Sequence, residues 1–341
     1  MQASKRYDAV TFGEIMLRLS PPGTQRFAQS TVFEKQTGGA ELNVAMGLAA
    51  LGLRPAVVSR LPDNEISRYL ARQIQAGGVS GECLIYDADP NARLGIYYYE
   101  SGAAPRKPSV VYDRKNSAVN HISPREIPDE LYSQARLFHT CGISLALGGA
   151  VRQTAAEMMH RFKQAGALVS FDVNYRANLW GEEEARAAIE DILPLVDILF
   201  ISEETSRRMF QKQGELKDIM KSYCAQYGVQ VVATTQRQVI SPQKHHFGSL
   251  IYGAQEDVFF TEEPYRDIQV IDRIGSGDAF VAGALFGLLQ YGDLQRSVEY
   301  GNAMAALKNT VTGDLPCTSL QEVNAVIAAH HGGGVQSEMN R

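Results

Sequence analysis

Residues 271–285, IDRIGSGDAFVAGAL, join three kinds of local structure in fifteen positions. A strand-like run ends at Asp272, a turn with Gly275, Ser276 and Gly277 follows, and Asp278 opens an apolar helical pattern. The N–H groups at the start of a helix lack intrahelical partners and carry the positive end of the helix dipole, so they attract phosphate. A carboxylate beside them can take a proton from a hydroxyl. The stretch therefore predicts phosphoryl transfer, although a plain turn with a helix cap uses the same residues.

A second glycine-rich junction lies about 230 residues upstream, at residues 38–45, GGAELNVA. The glycines Gly38 and Gly39 remove side chains from the path of a ligand. Asn43, in the first turns of the predicted helix, offers a donor and an acceptor that suit a sugar hydroxyl. The alternative is an ordinary junction between a loop and a helix.

The two motifs in this order resemble those of the ribokinase/phosphofructokinase-B carbohydrate kinases, and the resemblance runs from Val10 to about Ile327. It implies an α/β protein with a three-layer α/β/α domain, a mostly parallel sheet and a small β-sheet lid. It also implies that Asp278 is the catalytic base and that the N–H groups of Gly275, Ser276 and Gly277 hold the transferred phosphoryl group. An isolated aspartate has a pKa of about 3.9, so we expect Asp278 to be ionised at neutral pH.

Composition limits the classes of partner. The chain has 341 residues, 45% of them hydrophobic, and a net charge of −5. No basic stripe is present, so we expect no nucleic-acid partner. No stretch approaches the roughly 20 apolar residues of a membrane span. The four cysteines are scattered without metal-binding spacing, which is typical of reduced thiols in a cytoplasmic protein.

Strand-like and helix-like segments alternate along the chain. The strand-like runs are continuously apolar, which favours a parallel sheet covered on both faces. Two segments interrupt this alternation, at about 15–36 and 93–121, and we expect them to form the lid. We predict one kinase domain over residues 1–330, followed by a frayed tail at 331–341. The exposed edges of the lid favour a homodimer or a higher homo-oligomer.

The nucleotide end of the site departs from the family pattern. ATP with Mg²⁺ is implied as the phosphoryl donor, and relatives carry Asn-x-x-Glu where this chain has Ser202, Glu203, Glu204 and Thr205. Ser202 is predicted to contact ATP, and Glu203 or Glu204 to reach the metal through water, although a capped helix start explains the same residues. Relatives also have a glycine-containing turn near Thr235 and Arg237. Both residues are still expected to meet ATP, as is Asn302, while His245 and His246 are interpreted as loop surface.

The substrate prediction rests on two arginines. The segment that contains Asp172, Asn174 and Arg176 resembles the D-x-N-x-R segment of 2-keto-3-deoxygluconate kinases, which fructokinases share in large part. With Tyr97, Tyr112 and Arg114 from the lid, Arg176 would form a cationic aromatic clamp for a sugar carboxylate, because arginine binds carboxylates with paired hydrogen bonds.

Glu14 is expected to accept hydrogens from sugar hydroxyls. The predicted reaction is phosphorylation of 2-dehydro-3-deoxy-D-gluconate at its C6 hydroxyl. A fructokinase or another ketose or sugar-acid kinase is the first alternative, and a non-catalytic sugar sensor is the second.

Overall fold

The computed structural model describes residues 5–332. The strands are β1 (Tyr7–Phe12), β2 (Met16–Ser20), β3 (Glu34–Gly38), β4 (Pro55–Pro62), β5 (Leu84–Asp87), β6 (Gly95–Glu100), β7 (Ser109–Asp113), β8 (Ala135–Cys141), β9 (Leu168–Asp172), β10 (Ile198–Phe200), β11 (Val231–Ser241), β12 (Lys244–Gly253), β13 (Val258–Thr261) and β14 (Tyr265–Gln269).

The α-helices are α1 (Ala40–Ala50), α2 (Glu65–Ala76), α3 (Asp129–Ser133), α4 (Gly142–Ala146), α5 (Gly149–Gln164), α6 (Glu182–Ile192), α7 (Glu203–Arg208), α8 (Leu216–Tyr227), α9 (Ser276–Tyr291), α10 (Leu294–Asn309) and α11 (Leu320–His330). Within residues 5–332, no helix has the length and apolar character needed to cross a membrane. The predicted tail lies outside the described residues, except for His331 and Gly332.

Ten strands form the larger sheet, in the order β13-β12-β11-β10-β9-β8-β1-β4-β5, with β14 paired to β12. Pairing is parallel from β11 to β5 and antiparallel among β11 to β14. The order reverses between β1 and β8, because β4 and β5 extend the sheet on one side and β8 to β11 on the other. Ligands of open α/β sheets bind at the carboxyl ends of strands beside such a reversal.

Alternate residues of the strands face two different helical layers. Val10 and Phe138 pack with Met158 and Phe162 of α5. Their neighbours Ala9 and Leu137 pack on the other face, in a core that includes α1, α9 and α10. The strands are mostly apolar because both faces are covered, which is the physical reason for the pattern predicted from the sequence, although β1 and β8 also carry the buried polar residues Thr11, His139 and Thr140.

The lid is the four-stranded sheet β3-β2-β6-β7, whose strands lie at or next to the two predicted inserts. Strand β2 pairs antiparallel with β3 and parallel with β6. Strand β7 is an edge strand with all five residues exposed, including Val110 and Val111. The lid therefore offers an apolar edge to solvent.

The principal disagreement with the sequence-based expectation is at residues 231–253. The segment around Thr235 and Arg237, where relatives have a glycine-containing turn, is the middle of β11, which forms a long antiparallel hairpin with β12. His245 and His246 lie in β12 rather than in a loop, and His245 is buried. Valine, isoleucine and threonine on β11 favour an extended strand, and this explains why the hairpin replaces the turn.

Candidate active site

A cavity of about 680 Å³ opens at the carboxyl ends of the central strands, between the larger sheet and the lid. Cavities of this size hold small molecules and their cofactors. Residues predicted for the site that line it are Gly39, Asn43, Tyr97, Tyr112, Arg114, Arg176, Ser202, Glu204, Thr235, Arg237, Gly275, Ser276, Gly277 and Asp278.

The glycine turn delivers the start of α9 to this cavity. Gly275 has φ of 80° and ψ of −1°, a left-handed conformation that glycine adopts without steric cost. The N–H of Ser276 donates to Arg273 O at 3.2 Å and so belongs to the turn itself. The N–H groups of Gly277 and Asp278 have no acceptor among residues 5–332. The start of α9 thus presents free N–H donors, and the N–H of Asp278 takes the role that the sequence predicted for the N–H of Ser276.

Asp278 lies at the wall of the cavity and accepts a hydrogen bond from Asn43 Nδ2 at 2.7 Å. The two glycine motifs, 235 residues apart in sequence, therefore meet at the predicted base. Asn43 is 2% exposed and its Oδ1 has no donor among the described residues. An unpaired buried acceptor is costly, so Asn43 Oδ1 is available for the hydroxyl of a ligand.

Burial raises the pKa of Asp278 to about 7, and the nearby charges of Asp172 and Asp314 add to this effect. The hydrogen bond from Asn43 and the charge of Arg176 act in the opposite direction. Asp278 is therefore a much stronger base than the isolated aspartate expected from the sequence. A pKa close to neutrality suits a group that must accept a proton at physiological pH.

Asp172 ends β9, and Arg176 follows it at the same edge of the sheet. Burial raises the pKa of Asp172 to about 6, while the N–H of Asn174 donates to its carboxylate at 3.0 Å. Arg176 Nη1 donates to Tyr175 O, and the guanidinium has no carboxylate partner among residues 5–332. Arg176 is thus an arginine without a counter-ion among the described residues, in the same cavity as the carboxylates of Asp172 and Asp278.

The lid supplies the opposite wall. Arg114 lines the cavity, but its Nε and Nη2 donate to Glu14 Oε2, and the pair is buried. Ser117 Oγ donates to the other oxygen of Glu14 at 2.5 Å. Glu14 is therefore enclosed behind the cavity wall, where it holds Arg114 in place instead of facing a sugar. Arg114 Nη1 keeps no protein acceptor within residues 5–332.

The two lid tyrosines stand next to Arg114. The rings of Tyr97 and Tyr112 are 5.8 Å apart, and Arg114 lies 5.6 Å from the ring of Tyr112. Tyr97 donates its hydroxyl to Asp314 Oδ2, so that hydroxyl is already engaged. Gly38 is not in the cavity wall. A Cβ at this position would lie 2.4 Å from Asp314 Oδ2. Its absence of a side chain makes room for the contact between Tyr97 and Asp314.

At the other end, Thr235 and Arg237 reach the cavity from β11, and Arg273 reaches it from the glycine turn. Ser202 Oγ caps α7 by accepting from Thr205 N at 3.1 Å. Burial and the charge of Arg273 lower the pKa of Arg237, so the two guanidinium groups lie near one another. Neither arginine has a carboxylate partner within residues 5–332, so the two adjacent cations form an environment for an anion.

Three predicted residues are placed differently. Glu204 lines the cavity but forms an ion pair with Arg208, and Glu203 forms one with Arg207 beside a neighbouring recess. Within residues 5–332 no three metal-binding side chains cluster. Asn302 is fully buried in α10 and donates to Glu262 Oε1 at 2.7 Å, outside the cavity wall.

The sequence interpretation did not single out the buried group of Arg18, Asp272, Asp314 and Lys308 behind the glycine turn. Asp272 stands in the quoted motif, but a strand end gave no sign that its carboxylate is buried. Arg18 is in the lid insert, 254 residues away from Asp272, and no sequence pattern links the two.

Comparisons with known proteins agree with this geometry. The model of the family described as pfkB family carbohydrate kinase matches residues 7–320. A 2-dehydro-3-deoxygalactonokinase of Haloferax volcanii is 35% identical over 320 residues, or 94% of this chain and 96% of that protein. A 2-dehydro-3-deoxygluconokinase of Bacillus subtilis is 29% identical over 91% of this chain and 92% of that protein.

The crystal structure of a 2-dehydro-3-deoxygluconokinase from Thermotoga maritima has a TM-score of 0.89 to this chain at 31% identity, and covers 96% of this chain and 100% of its own. The predicted ribokinase-like α/β fold, with a mostly parallel sheet and a small separate sheet, is confirmed. The family model spans most of the chain, and the cavity contains both glycine motifs. The chain therefore belongs to the pfkB family of carbohydrate kinases.

Proposed function

We propose that this protein transfers the γ-phosphoryl group of ATP to the C6 hydroxyl of 2-dehydro-3-deoxy-D-gluconate. The observation that carries the proposal is the pair of arginines, Arg114 and Arg176, in the same cavity as Asp278. A sugar acid has an anionic end and a hydroxyl end, so it requires both a cationic contact and a base. Relatives named for 2-dehydro-3-deoxy sugar acids support the same class of substrate.

The carboxylate of the substrate would bind at Arg114 and Arg176. Glu14 takes two of the nitrogens of Arg114 and leaves Nη1 for the ligand. This arrangement fixes the orientation of Arg114 before the substrate arrives, which lowers the entropy lost on binding. Arg176 brings an uncompensated charge, and Tyr112 adds an aromatic wall.

At the hydroxyl end, Asp278 would accept the proton while Asn43 holds its carboxylate by hydrogen bonding. Asn43 Oδ1, which lacks a donor, would accept from a sugar hydroxyl. The free N–H groups of Gly277 and Asp278 would bind the oxygens of the phosphoryl group as charge develops on them. Closure of the lid would exclude water from the transfer.

The triphosphate would lie along Thr235, Arg237 and the glycine turn. Mg²⁺ supplies charge neutralisation on phosphate oxygens when it accompanies ATP. The absence of a three-ligand cluster in residues 5–332 fits a metal held chiefly by phosphates. Glu204, the acidic residue of α7 at the cavity wall, would reach such an ion through water.

We also propose that the exposed edge of the lid pairs with the lid of a second copy of this chain. Val110, Val111 and Tyr112 of β7 and the nearby Phe33 are exposed apolar residues. Sedimentation equilibrium of wild type and of Val111→Lys would test this. A wild type that is monomeric at micromolar concentration would rule it out.

The decisive experiment for the substrate is a steady-state panel of 2-dehydro-3-deoxy-D-gluconate, its galactonate epimer and fructose with ATP. We expect kcat/KM to be highest for a sugar acid, and Arg114→Gln to raise KM for the sugar acids but not for fructose. Asp278→Asn is the blank. A preference for fructose that Arg114→Gln leaves unchanged would identify a ketose kinase, and no turnover of any sugar would favour a sensor.

A further inference from the structure

Arg18 is among the largest fully buried side chains of the described residues, although it carries a charge. It lies on β2 of the lid, and its side chain is only 2% exposed. Its Nη2 donates to Asp272 Oδ2 at 2.5 Å and its Nη1 to Asp314 Oδ1 at 2.8 Å. The guanidinium also lies 4.3 Å from the centre of the ring of Tyr99. A lid side chain thus binds two carboxylates that belong to the main domain.

Both aspartates support the glycine turn directly, Asp272 through its carboxylate and Asp314 through its backbone oxygen. Asp272 Oδ1 accepts from Ile274 N at 3.0 Å, and Asp272 Oδ2 accepts from Gly313 N at 3.1 Å. Asp314 packs on the turn from behind, since a Cβ on Gly275 would lie 2.1 Å from Asp314 O. Any shift of these two aspartates would therefore move the N–H groups that face the cavity.

The charges of this cluster balance. Lys308 Nζ donates to Asp272 O at 3.2 Å and to Val311 O at 3.3 Å, and it is buried. Two cations, Arg18 and Lys308, thus stand against two carboxylates, Asp272 and Asp314. Without Arg18, an uncompensated negative charge would remain behind a turn that must receive a phosphoryl group. In a buried site such a charge is poorly screened and opposes the incoming anion.

We propose that Arg18 is a positioning residue for phosphoryl transfer, which neutralises Asp272 and Asp314 behind the glycine turn and joins that turn to the lid. The join continues through Asp314 to Tyr97, whose hydroxyl donates to Asp314 Oδ2 and whose ring lines the cavity. The inference rests on the proposed kinase activity of this cavity. Arg18, a lid residue outside the cavity wall, thereby contributes to the affinity of the glycine turn for phosphate.

The test separates charge from packing with three variants. Arg18→Met removes the charge and keeps a long side chain. Arg18→Met/Asp314→Asn restores the charge balance, and the asparagine can still accept from Tyr97. Arg60→Met is the matched control, because Arg60 also binds two carboxylates, Asp87 and Glu126, but lies outside the cavity.

Steady-state kinetics with ATP and the sugar acid should show a loss of about 10²-fold in kcat/KM for ATP in Arg18→Met, similar to the loss of one oxyanion donor. The double variant should recover at least about tenfold of this loss, whereas Arg60→Met should leave kcat/KM unchanged. The acidic limb of the pH–rate profile should move to higher pH in Arg18→Met and return in the double variant. The charged groups that face Asp278 and set this limb are Asp172, Arg176, Asp314 and Lys308.

Folded Arg18→Met with kcat/KM within about threefold of wild type would overturn the inference, as would a double variant no better than the single one. If Arg18→Met does not fold, the comparison of Asp314→Asn with the double variant decides, because these two proteins differ only at Arg18. Asp314→Asn keeps an excess positive charge in the cluster, so its acidic limb should lie at lower pH than that of the double variant, and equal limbs would overturn the inference.

Calorimetric titration with the magnesium complex of the imido analogue of ATP, without sugar, gives an independent readout. Its affinity should fall in Arg18→Met and recover in the double variant. A wild type that binds this analogue but phosphorylates neither sugar acid would refute the proposed substrate and leave the comparison of Arg18 variants intact.

Discussion

Asp278→Asn should make the protein more stable above neutral pH while removing its activity. The folded structure raises the pKa of Asp278 from 3.8 to about 7, chiefly by burial. The unfolded chain ionises this carboxyl above pH 4, so the folded state carries a penalty that grows as pH rises from about 4 to 7. Below the unfolded pKa both states are protonated and the penalty is absent.

The size of the effect follows from the shift. A difference of about 3 pKa units at ~1.36 kcal/mol each gives a penalty of ~4 kcal/mol at pH 8, as an upper limit. At pH 4 the same linkage between pKa and stability gives a penalty to the folded state of under ~1 kcal/mol. Asparagine retains the hydrogen bond, because its Oδ1 can accept from Asn43 Nδ2 as the carboxylate does. The charge is therefore the principal difference between the two side chains.

Urea unfolding of wild type and Asp278→Asn at pH 4, 6 and 8, without nucleotide, measures this penalty. We expect the variant to gain stability progressively with pH, and kcat to fall by ~10²–10⁴-fold through loss of the base. Asp8→Asn provides a control of opposite sign, since hydrogen bonds from Arg54 and Arg136 lower the pKa of Asp8. A gain that is equal at pH 4 and pH 8, or no gain at pH 8, would refute the burial argument.

Three further predictions test other parts of the site. In the wild type, kcat/KM should fall about tenfold per pH unit below about pH 7, which forms the acidic limb of the pH–rate profile. Asp172→Asn should move this acidic limb to lower pH, because the charge of Asp172 raises the pKa of Asp278. A wild-type limb near pH 4 would contradict the prediction. Gly275→Ala should lower the melting temperature, because its Cβ would lie 2.1 Å from Asp314 O. A Cβ at position 277 would have no atom within 4 Å, so Gly277→Ala should keep the melting temperature. It should still lose activity, because the added methyl group would intrude on the phosphoryl site. Arg237→Gln should raise KM for ATP by about tenfold or more and leave KM for the sugar acid unchanged. Arg72→Gln, at an exposed position of α2, is the control. Equal changes in both KM values would contradict a contact between Arg237 and ATP.

The parallel core could be predicted from sequence because it depends on local patterns, whereas a shared site for the two glycine motifs followed only from the family resemblance. Strands such as Leu168–Asp172 are mostly apolar, and their ends carry the polar residues that reach the cavity. The family pattern supplied the order of the motifs. What it could not supply was the environment of each side chain.

The parts that sequence missed depend on burial and on distant pairing. The pKa of Asp278 is set by desolvation inside the assembled cavity, which no spacing along the chain reveals. Glu14 was expected to face a sugar because it follows the first strand, but Arg114, 100 residues away, engages it. The sequence analysis noted that this chain lacks the family's glycine-containing turn near Thr235, but it placed His245 and His246 in a loop, whereas both lie in β12 of the hairpin.

The arginines of the cavity separate into two groups by their partners. Arg114 and Arg208 line it but are bound to carboxylates, whereas Arg176, Arg237 and Arg273 line it without any carboxylate partner within residues 5–332. All three unpaired arginines are exposed at the cavity wall, so each can meet an anion from solution. Arg237 and Arg273 reach the cavity near the glycine turn, whereas Arg176 follows β9. Two separate cationic positions are the arrangement expected if the proposed pair of anions, a sugar acid and a triphosphate, binds in this cavity.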